Sequence, residues 1–280
     1  MNIRISADST CDLSSELVEQ YHIAVIPLRV VMDGKPLRDG VDIKPNDLFA
    51  HVAAGGTLCH TVAVNLSEYV DFFGSLLETA DAVVHFCISS DMSSCFQNAR
   101  LAATQLDNVW VIDSRSLSTG IGHLVLDAAR LAEEGMPPEE IAAEVERRRE
   151  KLDVSFVLDT LEYLKKGGRC SAIAAFGANL LNIKPAIQVK NGKMGICQKY
   201  RGSLEKTLEK YVAERLAEPE TVDPQRIFIT HSGVSKGILD FTEHAVLEQV
   251  PFAEVLRTSA GCTISSHCGP NCLGILFYRR

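Results

Sequence analysis

The chain has 280 residues, 46% of them hydrophobic and 23% charged, which is enough apolar material for one large domain or two ordinary ones with a sizeable core. Acidic residues outnumber basic ones by 36 to 28, a formal net charge of -8, and this argues against a general nucleic-acid footprint because phosphate binding demands a basic face. The opening "MNIRISADST" turns polar at once, and no apolar run is long enough to span a bilayer, so the expectation is a folded, cytoplasmic protein with at most transient membrane contact.

Short β-rich runs open the chain: "IRIS" at 3–6, "IAVIP" at 23–27, "AVVHFCI" at 82–88 and "VWVID" ending at Asp113. They alternate with helical patterns, as in a sheet covered by helices. Within this stretch "VVMDGKPL" sets Asp33-Gly34 between apolar residues, the usual chemistry of a tight turn, and predicts a small β-hairpin excursion near 28–42. The excursion reads as surface decoration.

In "CISSDMSSCFQNARLAA" the third strand ends at Ser89-Ser90 and a helix begins near Ser93 or Ser94. Open α/β sheets bind ligands at such junctions, because free backbone N–H groups and the helix dipole both favour an anion. Plain N-capping by Ser93 or Ser94 accounts for the same residues. A second junction, "VIDSRSLSTGIGH", carries a G-x-G that matches only part of a dinucleotide fingerprint. A tight turn with close helix packing is favoured there.

Pro137-Pro138 and the following glutamates then open a helix that Arg147 to Arg149 and Lys151 close, in keeping with the dipole at both ends. A boundary near Asp153 would separate an N-terminal Rossmann-like α/β/α domain, residues 1–153, from a C-terminal α+β domain, residues 154–280. In the second half the pattern predicts a strand at 154–158, a helix at 159–166, a hairpin around Asn191-Gly192 and a helix with Leu204, Leu208, Tyr211, Val212 and Leu216 on one face. The strand "RIFIT" at 226–230, another helix and two final strands complete a largely antiparallel sheet.

Two further stretches hold residues that could carry chemistry. In "EYLKKGGRCS" the double glycine, Gly167-Gly168, is ordinary helix-stop chemistry. It presents Arg169 beside the apolar "AIAAFGANLLNI", which suits a lid over an anion as well as it suits a plain surface side chain. Near the end, "HCGPNCLG" combines His267 with Cys268 and Cys272, whose three-residue spacing is not that of a thioredoxin-like pair and whose ligands are too few for zinc. Nine cysteines without a CxxC read as reduced packing thiols. With no G-x-S-x-G, H-E-x-x-H or Walker loop, the residues advertise no reaction, no catalytic group and no metal site.

Taken together, these segments resemble the DegV family of bacterial fatty-acid-binding proteins along essentially the whole chain. "ISADSTCDL" resembles the family's D-S-T-x-D-L start, "ISSDMSSCFQNARLAA" its I-S-S-x-L-S-G-T-Y-x-x-A-R, and "VIDSRSLSTGIG" its D-S-x-x-x-S-x-G-x-G. "TLEYLKKGGRCS" with "LLNIKPAIQVKNGKM" is the strongest segment, and "HCGPNCLGILF" resembles the C-terminal H-x-G-P-G-A-L-G. The family motif T-S-x-P-S is the departure: its counterpart is "TVAVN", which keeps Thr61 and has Val62, Val64 and Asn65 for Ser, Pro and Ser.

The resemblance implies a non-catalytic carrier that holds one long-chain fatty acid, such as palmitate, between its two domains and presents it to a partner fatty-acid kinase. No other cofactor is implied. By position, Thr61, Ser93 and His267 would surround the ligand carboxylate, with Arg169, Ser94 and Gly168 near the head group or in contact with the partner. A carboxylate taken out of water needs several donors, and hydroxyls with an imidazole supply them. At ~0.8 kcal/mol per buried methylene the tail supplies the affinity, which calls for an apolar tunnel that Ile173, Phe176, Leu180 and Leu181 could line. The rival readings are a hydrolase or transferase using Ser93 with His267 as base, and a binder of another anionic amphiphile. A DNA-binding regulator lacks both a helix-turn-helix pattern and a basic face.

Overall fold

The computed structural model describes residues 1–168 and 183–280. In chain order the first half runs β1 (Ile3–Asp8), α1 (Ser15–Gln20), β2 (Ala24–Ile26), β3 (Arg29–Met32), β4 (Lys35–Arg38), α2 (Pro45–Ala53) and β5 (His60–Val62). It continues with α3 (Leu66–Leu77), β6 (Ala82–Cys87), α4 (Cys95–Ala103), β7 (Val109–Asp113), α5 (Thr119–Glu133) and α6 (Pro138–Arg149). The second half runs β8 (Leu152–Val157), α7 (Glu162–Gly167), β9 (Ile183–Lys190), β10 (Lys193–Arg201), α8 (Leu204–Arg215) and β11 (Val222–Ser232). It ends with α9 (Lys236–Gln249), β12 (Glu254–Ser259), α10 (Cys262–Cys268) and β13 (Cys272–Arg279).

Two large sheets organise these elements. The first, in the order β2-β1-β6-β7, is parallel throughout. Its central strand β6 is buried at every residue, which explains an unbroken apolar run where a one-faced strand would alternate. The second, in the order β10-β9-β8-β13-β11-β12, is antiparallel except for the pairing of β11 with β12. This is the expected mixed α/β architecture of a Rossmann-like half and a largely antiparallel half.

Helix α5 lies between the two sheets, touching β1 and β6 on one side and β8 and β13 on the other. Twelve of its fifteen residues are buried, so its glycines serve packing. A Cβ on Gly120 would stand 2.2 Å from Ser116 Oγ and 2.9 Å from Val154 Cγ2, and one on Gly122 would stand 2.9 Å from Leu13 Cδ2. The G-x-G therefore marks close helix packing, as its sequence context favours. Further along α5, His123 Nε2–H donates to Leu276 O at 2.9 Å while its Nδ1 accepts from Arg226 Nε at 3.1 Å. Arg226 also pairs with Asp127 at 2.5 Å, which bolts α5 to the second sheet.

Three local expectations change. The predicted helix at 159–166 begins later, at Glu162, because Leu158 N still donates to Pro185 O in the sheet. A seven-residue helix, α10, stands between the two final strands, and His267 occupies its last turn. The hairpin near 28–42 gains a third strand, β5, to give the order β4-β3-β5, with Thr61 paired to Val30. This small sheet is not surface decoration: Val30, Ile43 and Leu48 form a core with Cys262 of α10.

Candidate ligand site

Beyond the C-terminal end of β6 lies a cavity of about 290 Å³, close to the lower end of the roughly 300–1,000 Å³ usual for ligand pockets. Its walls are mostly apolar and come from both halves of the chain, with Ile88, Met92 and Leu117 from the first and Leu164, Met194 and Ile264 from the second. Thr61, Ser93, Ser94 and His267, with Thr263, line the same cavity and supply its polar side chains. Thr61 Oγ1 and His267 Nε2 are 3.0 Å apart, although 206 residues separate them in sequence.

Each polar group is placed by a local device. Thr61 sits on β5, and the "TVAVN" residues after it carry the chain into α3: Val64 is buried, and Asn65 caps the helix. Asn65 Oδ1 accepts from Glu68 N at 3.0 Å and Glu68 Oε2 accepts from Asn65 N at 2.9 Å, so asparagine does the capping work that serine could do. Val62, 41% exposed, also lines the cavity and puts an apolar side chain next to Thr61 where the family motif has a hydroxyl.

At the start of α4, Ser93 Oγ accepts from Cys95 N at 3.3 Å and donates to Cys95 Sγ at 3.2 Å, while the Ser94 side chain makes no capping bond. Burial pushes the Cys95 thiol up to about 11, so it is no thiolate. Asp8 fixes the β6 end of this turn, accepting from Ile88 N at 2.9 Å, and burial pushes its carboxyl up to about 6. Ser93 Oγ is thus engaged with Cys95, and His267 Nε2 faces Thr61.

The double glycine has two separate reasons. Gly168 adopts the left-handed C-cap of α7, at φ 67. Gly167 is needed because a Cβ there would stand 2.2 Å from His267 Nδ1. Of the sequence candidates, then, Thr61, Ser93, Ser94 and His267 share one cavity, and Gly168 is a helix stop beside it. Arg169, Ile173, Phe176, Leu180 and Leu181 lie outside the described residues. Sequence reading missed Gly167 as the neighbour of His267 and missed the wall residues Met92, Leu117, Leu164, Met194 and Ile264, which look like any other core positions. Among the described residues there is no group of three or more His, Cys, Asp or Glu side chains that could hold a metal, and no helix long and apolar enough to cross a membrane.

A parallel sheet and a mostly antiparallel sheet, with a largely apolar cavity that has hydroxyl and imidazole groups on its wall beyond the strand ends of the Rossmann-like half, define a two-domain α/β protein. The model of the DegV family of uncharacterised proteins matches residues 2–280. A DegV domain-containing protein of Caldanaerobacter subterraneus is 32% identical over 278 residues, covering 98% of each chain. Among solved structures, a DegV family protein from Thermus thermophilus, described for its fatty-acid binding, superposes with a TM-score of 0.92 at 32% identity over 100% of both chains. DegV of Bacillus subtilis, a fatty-acid-binding protein, gives 0.87 at 27% identity, again over 100% of both. The chain belongs to the DegV family.

Proposed function

We propose that this protein is a carrier for one long-chain fatty acid, held with its carboxylate at Thr61, Ser93 and His267. The observation that carries the reading is the Thr61–His267 pair, 3.0 Å apart, in a cavity whose other walls are largely apolar. A buried carboxylate is stable only where donors replace its water, and two hydroxyls and a ring N–H meet that need without a metal. The fatty-acid binding of the Thermus and Bacillus relatives supports the same ligand class. In this reading residues 1–153 provide the hydroxyls and residues 154–280 provide the imidazole, so the ligand sits between the domains.

The protein is a binding partner rather than a catalyst, and it presents the carboxylate to a fatty-acid kinase. A cavity mouth beside exposed Val62 supports access to the head group from outside. Arg169 belongs to the head-group or partner contact. Phosphorylation by the kinase should fail in Arg169→Ala while lipid occupancy stays normal.

Native mass spectrometry of the purified protein, with solvent extraction of whatever is released, tests the ligand. One long-chain fatty acid per chain is the expected result. A chain that stays empty in a fatty-acid mixture, or that releases a different anionic amphiphile, would overturn it.

A further inference from the structure

The small sheet β4-β3-β5 grips α10 at both ends. At the far end of the helix, Thr61 of β5 meets His267 Nε2. At its start stands Asp39, just after β4, whose own N–H is tied to Leu28 O at 2.9 Å. The two carboxylate oxygens of Asp39 accept from successive backbone N–H groups, Cys262 at 2.7 Å and Thr263 at 2.9 Å. Asp12 accepts from the preceding Gly261 N at 2.8 Å and from Ser118 Oγ at 2.5 Å. In between, Cys262 Sγ donates to Ile43 O at 3.3 Å.

A seven-residue helix has little stability of its own, and its first N–H groups need acceptors from elsewhere. Here those acceptors are carboxylates, the groups that the positive end of a helix favours most. The fit is close: a Cβ on Gly261 would stand 3.1 Å from Asp39 Oδ1 and 3.2 Å from Asp12 Oδ1. Asp39 is buried, and neither aspartate lines the cavity. Asp39 reaches the cavity through α10 and also through the wall residue Leu28, whose O accepts from Asp39 N and whose N donates to Ser9 Oγ, itself a donor to Asp39 at 3.3 Å.

We propose that Asp39 is a positioning residue for the ligand site: by capping α10 from the same sheet that carries Thr61, it sets the position in which His267 meets Thr61 and the carboxylate. The inference rests on the fatty-acid reading of the cavity. It assigns a task to the end of the hairpin excursion, where Asp39 stands outside the cavity lining.

The test is a double-mutant cycle on the full-length protein, titrating wild type, Asp39→Asn, His267→Ala and the double variant with a long-chain fatty acid and with the fatty alcohol of equal length. Asp39→Asn is expected to weaken the acid roughly tenfold, the alcohol by about twofold or less, and to add nothing in the His267→Ala background. Equal losses for acid and alcohol, additivity with His267→Ala, or no loss would overturn the proposal and leave Asp39 a plain structural residue. If Asp39→Asn does not fold, Gly261→Ala, which crowds both carboxylates away from the helix, takes its place in the same cycle with a loss of about threefold or more. A wild-type protein that binds neither ligand would overturn the fatty-acid reading itself, and a wild type that binds without the coupling would overturn only the role of Asp39.

Discussion

Strands β6 and β7 lie side by side, and each ends in a serine-rich turn that feeds a helix, yet the two turns do different work. After β6, Ser93 and Ser94 face the cavity, and Asp8 and Cys95 hold the turn from behind. After β7, Ser118 Oγ donates to Asp12, Thr119 and Thr230 hydroxyls meet at 2.5 Å, and Gly120 lies against Val154. Only Leu117 of that turn reaches the cavity. The local sequence chemistry is alike; what differs is that α5 is covered by the second sheet whereas the start of α4 is left open to the pocket. A strand end becomes a binding site where the neighbouring layer stops short of it.

The difference can be broken from either side. The largest effect belongs to the packed turn: Gly120→Val drives a side chain into Ser116 and Val154 and is expected to cost about 3 kcal/mol in a denaturant titration, with ligand stoichiometry of the folded protein unchanged.

Acid comes next. His85 of β6 and His123 of α5 are both fully buried, and burial holds each ring down to about 3. Unfolded, each takes a proton near 6.5, so the unfolded state binds more protons below that pH. The stability these neutral rings retain above 6.5 is lost as pH falls toward 3, at about 1.4 kcal/mol per pH unit per ring. Asp8, pushed up to about 6, acts in the opposite sense between about 6 and 3.8, since the folded state there holds a proton that the unfolded chain releases. His85→Phe removes one ring from this balance and should spare about 2 kcal/mol of the loss between pH 6.5 and 5, read from urea melts at the two pH values.

The open turn after β6 and His267 of α10, which lines the same cavity, should respond in binding and not in stability. His267→Ala is expected to weaken fatty-acid affinity roughly tenfold to thirtyfold by calorimetry, the scale of a hydrogen bond to a charged group. Ser93→Ala should cost less, about threefold to tenfold, because its hydroxyl is shared with Cys95. An unfolding midpoint that moved as much for Ser93→Ala as for Gly120→Val would erase the distinction between the two turns.

The sequence makes some of this plain and hides the rest for physical reasons. Buried parallel strands are legible because both faces are apolar, and the β3–β4 turn is legible because Asp33-Gly34 favours positive φ at both residues, 51 and 76 here. Strand β5 has three residues and no periodicity of its own. Helix α10 is hidden more deeply, because the acceptors for its first N–H groups lie 249 and 223 residues away, in Asp12 and Asp39. The site has the same character: Ser93 and Ser94 announce themselves at a strand end, but Thr61 and His267 come from opposite ends of the chain, and only the family pattern linked them before the fold did.

The most direct measurement is a crystal structure of the protein loaded with a saturated long-chain fatty acid. The account predicts the carboxylate within about 3 Å of Thr61 Oγ1, Ser93 Oγ and His267 Nε2, with the chain running into the apolar part of the cavity beside Leu164 and Ile264. A ligand with its carboxylate turned away from these three groups, or bound outside this cavity, would contradict it.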